Sequence, residues 1–67
     1  MAIVKVIELL AESQDGWEAA TQEAVTEAAK TVRNIKSVYI KEFQAIVEGN
    51  EIVNYRVNAK VSFVVQD

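Results

Sequence analysis

Residues 52–65 read Ile52-Val53-Asn54-Tyr55-Arg56-Val57-Asn58-Ala59-Lys60-Val61-Ser62-Phe63-Val64-Val65. Apolar side chains at Val53, Tyr55, Val57, Ala59, Val61, Phe63 and Val65 alternate with Asn54, Arg56, Asn58, Lys60 and Ser62. A period of two puts the first set on one face of a strand and the second on the other, so the stretch predicts a β-strand with one buried face. Fully extended, it spans on the order of 45 Å at about 3.3 Å per residue. A compact chain of this length has a radius of gyration near 11 Å, so a diameter of roughly 28 Å. The strand outruns a globule built from its own chain, and its overhanging ends need cover from other subunits.

Immediately upstream, Glu48-Gly49-Asn50 is a turn, and before it Val38, Tyr39, Ile40, Phe43, Ile46 and Val47 form a second β-branched and aromatic run from Ser37. The two runs predict a hairpin. Further upstream, Trp17, Ala20, Thr21, Ala24, Val25, Ala28, Ala29 and Val32 recur at helical spacing, with Glu18, Gln22, Glu23, Glu27, Lys30 and Arg33 on the other side. Ser13 reads as the N-cap, Asp15 as a first-turn acid and Asn34 as the left-handed stop. A stripe made mostly of alanine requires the helix to lie close to its sheet. Ile3–Leu10, with Lys5 and Glu8 as its charges, predicts a first strand apolar on parts of both faces. The order is therefore β, α, β, β, one domain over residues 1–67 of α+β class.

The chain has 67 residues, and a domain this short buries only about 60% of the surface its unfolded form exposes. Small proteins supplement such a core with disulfides, metal or association. With no Cys and no His the disulfide and the usual zinc routes are closed, and 51% apolar residues favour association. The same two absences exclude Ser-His and Cys-His nucleophiles, and two isolated glycines cannot build a phosphate loop, so no enzymatic activity is expected. A net charge of -3 offers no basic surface for nucleic acid. Without an apolar run of roughly 20 residues, the expectation is a soluble, cytoplasmic protein that does not engage membranes.

Few side chains remain for a site. Glu48, Gly49, Asn50 and Glu51 carry oxygen donors suited to calcium, but their composition reads as a plain turn unless symmetry gathers several copies of one carboxylate. Trp17 reads as the first core residue of the helix rather than as a ligand-stacking ring. The polar face Asn54, Arg56, Asn58, Lys60 is either solvated or turned into an interface or ligand-lined surface, with Arg56 a donor for anionic or planar groups.

Taken together, Val4-Lys5-Val6-Ile7-Glu8-Leu9, the Ser13 position before an Ala-rich helix, Ala28 with Lys30-Thr31-Val32-Arg33, and Tyr55-Arg56-Val57 through Val61-Ser62-Phe63 resemble the dodecin family over essentially the whole chain. The resemblance implies a βαββ subunit, its three-stranded antiparallel sheet wrapped around one helix, in a hollow homododecamer that catalyses nothing. It further implies binding or storage of a small planar ligand of flavin type, such as FMN or riboflavin, at subunit interfaces. In typical members a Trp opening the second strand stacks on the flavin and a Gln on the third strand bonds its polar edge. The matching positions here are Ser37 and Arg56. Serine has no ring, and arginine donates without accepting. The chain is thus more similar to the branch that lacks the Trp, which is associated with calcium; the implied alternative is a structural or calcium-binding shell without flavin.

Overall fold

A computed structural model describes residues 2–66. Strand β1 (Ile3–Ser13) leads through a tight turn into helix α1 (Trp17–Ala28), followed by β2 (Ile35–Glu48) and β3 (Glu51–Gln66). The sheet is antiparallel with order β1-β3-β2, so the most cleanly alternating stretch of the sequence is the central strand. A central strand is screened by hydrogen-bonded neighbours on both edges, and Val57, Ala59 and Val61 on its inner face are fully buried.

Against them lie Ala20, Ala24 and Ala28, one per turn along a single line of the helix. With Leu9 and Ala11 from β1 and Val38 and Ile40 from β2 packed around them, these residues make the core. Among the described residues no side chain larger than valine is fully buried. The principal extents are 51 × 19 × 14 Å and the radius of gyration is 13.6 Å, well above the roughly 11 Å of a compact chain of this length. The hairpin does overhang its domain, as its length predicts.

The ends of the helix differ from the sequence expectation. β1 continues to Ser13, whose Oγ accepts a hydrogen bond from the Asp15 amide at 3.0 Å and so tightens the turn rather than capping the helix. Gly16, at φ 124, holds the N-cap position without a side-chain bond, and Glu18 supplies the acid of the first turn in place of Asp15. At the other end the helix closes at Ala28 with Ala29 as C-cap, and turn-type bonds from Lys30, Thr31 and Val32 follow. Val32 and Arg33 therefore lie beyond the helix. Asn34 does adopt the left-handed conformation, at φ 63, but immediately before β2, which starts at Ile35 rather than Ser37. Its carbonyl accepts from the Val64 amide at 3.1 Å and ties the loop to β3.

Within β2 the register shifts between Ile40 and Glu42, leaving Lys41 without an opposing residue on β3. This bulge explains why the apolar positions there step Val38, Ile40, Phe43, Ala45 instead of holding strict alternation. The hairpin closes through Gly49 and Asn50, both at positive φ, the backbone that matches the twist of the flanking strands.

Trp17, expected in the core, sits at its margin and is 40% exposed. Its ring packs edge-on against Phe43 and Tyr55 at centroid distances of 5.8 and 5.1 Å, and its Nε1–H donates to the Gln44 carbonyl at 3.1 Å. The three aromatic rings pin the start of the helix to the hairpin. Full burial would make Trp17→Ala cost about 3 to 5 kcal/mol; at this partial burial the expected loss is roughly 2 kcal/mol, read from thermal unfolding. The mutant is expected to remain assembled.

Candidate ligand surface on the outer sheet face

The helix covers one side of the sheet, and pairing register assigns the opposite side. On β3 it carries Asn54, Arg56, Asn58, Lys60 and Ser62; opposite these, β1 contributes Glu12, Leu10, Glu8 and Val6, and β2 contributes Gln44, Glu42, Tyr39 and Ser37. The described residues enclose no pocket, and this sheet face is an open surface.

Arg56 lies between Glu12 and Gln44 in register. Its Nε and Nη2 each approach Glu12 Oε2 to 2.6 Å, and Nη1 donates to Gln44 Oε1 at 3.4 Å. Glu12 Oε1 accepts from Asn54 Nδ2 at 2.7 Å, so both carboxylate oxygens are engaged. Asn54 is oriented in turn by the Tyr55 amide, which donates to its Oδ1 at 3.0 Å. The result is a four-residue polar network across three strands, charge-neutral in its Arg–Glu pair. Further along, Lys41 Nζ stands 3.7 Å from Glu8 Oε2, a long, exposed pair. Between the two pairs, Asn58 Oδ1 is buried without a hydrogen-bond donor.

Ser37 is elsewhere. It faces Ser62, with which its hydroxyl shares a hydrogen bond, and Ser62 is six residues beyond Arg56 on β3. At about 3.3 Å per residue the two candidate ligand positions are roughly 20 Å apart within one chain. They share a face but are not brought together. Nothing aromatic stands at Ser37, and the Arg56 guanidinium is occupied by a carboxylate, so the residues present do not fit a ring sandwich with an amide edge.

Nor do the carboxylates fit a cation site within one chain: among the described residues no three Asp, Glu, His or Cys side chains converge. At Glu48-Gly49-Asn50-Glu51 the structure forms the ordinary two-residue hairpin. No helix of the described residues is long and apolar enough to cross a membrane.

Glu12 and Gln44 are members of this network that the sequence reading passed over. The signal for Glu12 was present: Glu8, Leu10 and Glu12 continue the period of two past Leu10, but Ser13 as a presumed cap cut the strand short.

A βαββ subunit with its helix on one sheet face, and with polar networks among exposed apolar residues on the other, is the architecture these observations define. The sequence profile of the Dodecin family matches residues 3–66. The chain belongs to the dodecin family. It is 33% identical over 63 residues to the calcium dodecin of Mycobacterium tuberculosis, covering 94% of this chain and 89% of that protein. It is 31% identical over 65 residues to the dodecin of Thermus thermophilus, covering 97% and 94%. The crystal structure of the tt0972 protein from Thermus thermophilus superposes with a TM-score of 0.92 at 30% identity, over 100% of this chain and 98% of that one.

Proposed function

We propose that this single-domain chain is one subunit of a cytoplasmic homododecameric shell that binds and stores a small ligand without catalysing a reaction. The observation that carries the reading is the match to the dodecin family over residues 3–66, in a fold whose second sheet face is open. The ligand surface comprises the regions of Ser37 and Arg56. Because these lie far apart in one chain, a ligand touching both is held between subunits. Flavin is the first ligand to try, and its grip here is weak because the stacking ring is missing.

A second reading, a structural or calcium-binding shell, is favoured by one specific observation: Arg56 is tied to Glu12 and Gln44 as part of a network that needs no ligand. Similarity to a protein named calcium dodecin supports the same reading.

Riboflavin titration separates the two. Wild-type protein is expected to quench flavin fluorescence little. Ser37→Trp combined with Arg56→Gln supplies a ring, worth about 0.5 to 1.5 kcal/mol beyond its area burial, and an edge that both donates and accepts. Affinity and quenching should rise together in the double mutant. Strong quenching by the wild type would mean that another residue stacks. An assembled but inert double mutant, together with a wild type whose unfolding midpoint rises with calcium, would move the conclusion to the second reading.

A further inference from the structure

Arg56 has the chemistry of an anion receptor, yet its immediate surroundings cancel it. Glu12 Oε2 meets two of its nitrogens at 2.6 Å, and the carboxylate is braced from behind by Asn54 Nδ2 at 2.7 Å on the other oxygen. A carboxylate held on both oxygens cannot swing away without losing three charge-assisted bonds. An anion approaching the guanidinium therefore meets a fixed negative charge within a few ångströms. The chain's own charge of -3 adds to that barrier in every copy of an assembly. Beside the pair, Gln44, facing Arg56 in register from β2, accepts from its Nη1 at 3.4 Å, so the third guanidinium nitrogen is engaged as well.

We infer that Glu12 sets the specificity of this surface against anions: by occupying Arg56 it excludes phosphates and carboxylates that the free guanidinium would bind. The inference rests on the small-ligand reading of the surface and names the class of ligand that it turns away. Glu12 acts through Arg56 and does not itself contact the ligand.

The test is calorimetric, with assembled protein at constant ionic strength and inorganic pyrophosphate and riboflavin as probes. Wild-type protein should bind pyrophosphate about fivefold more weakly than Glu12→Gln, the factor corresponding to the upper end for an exposed ion pair. Glu12→Asp should retain the exclusion, and Glu12→Gln combined with Arg56→Gln should lose pyrophosphate binding again. Riboflavin affinity should stay within roughly twofold between wild type and Glu12→Gln, since an uncharged probe does not compete with the carboxylate. Pyrophosphate binding by the wild type as tight as by Glu12→Gln would overturn the assignment. If Glu12→Gln fails to assemble, the wild type decides alone: saturable pyrophosphate binding that vanishes in Arg56→Gln overturns it, and none supports it. Failure of riboflavin to bind both the wild type and the Ser37→Trp, Arg56→Gln double mutant would instead sink the storage reading, with the pyrophosphate arm still deciding the role of Glu12.

Discussion

Replacing Ala24 with phenylalanine is expected to destabilise the folded subunit by about 3 kcal/mol, at the upper end for overpacking a core. Ala24 is 1% exposed and sits between Ala20 and Ala28 on the line where α1 meets β3. Opposite it, Val57, Ala59 and Val61 are also fully buried, so neither side has slack to absorb a ring. The helix would have to lift from the sheet along its length, also parting Trp17 from Phe43 and Tyr55. Thr26→Phe, on the exposed side of the same helix, is the control and should change stability by no more than about 0.5 kcal/mol. Both are measured as unfolding midpoints at one fixed protein concentration, because association shifts the midpoint. An Ala24→Phe midpoint equal to that of the control would mean that helix and sheet are not in close contact.

The same alanines explain why so much of the fold was legible. Spacing of four residues in Ala20, Ala24 and Ala28 has one structural meaning, and strict alternation through Val53–Val65 has another, so element type and order could be read directly. Boundaries were less legible. Ser13 has the right chemistry for a helix cap, but the same hydroxyl can accept from an amide two residues on, and the local geometry with Gly16 at φ 124 selected the second use. Lys30 and Arg33 fit the end of a helical pattern while lying beyond the last turn, because no residue near them forbids helix until Asn34. The candidate surface was legible in part. Alternation put Arg56 on the outer face, but strand order and register, which decide that Glu12 and Gln44 flank it, depend on pairing across 44 and 12 residues of sequence. Local pattern carries no information on such pairings. The same holds for the separation of Ser37 from Arg56, which follows from Ser37 pairing with Ser62.

The second large effect is expected at Leu10. It is 68% exposed on the outer face, where β1 also presents Val4 and Val6 to solvent, and the far end of the hairpin exposes Val47, Ile52 and Val53. Total accessible surface is 4927 Å², against about 4,250 Å² for a compact monomer of 7.5 kDa. Among the described residues nothing larger than valine is fully buried, a small core for such a chain, so folding and association are expected to form one equilibrium. Leu10→Lys tests this with little effect inside the chain, because Glu8 and Glu12 flank the position on the same face and favour a cation there. Between subunits the outcome is opposite: an ammonium in place of an aliphatic side chain is taken out of water at every symmetry-related contact. Light scattering should report about twelve subunits for the wild type and a mass falling toward 7.5 kDa for the mutant, with cooperative unfolding lost at micromolar concentration. A mutant that stays assembled with an unchanged midpoint would place Leu10 outside the interface. A mutant that is monomeric yet folds cooperatively would show that the small core suffices, and the argument from size would fail with it.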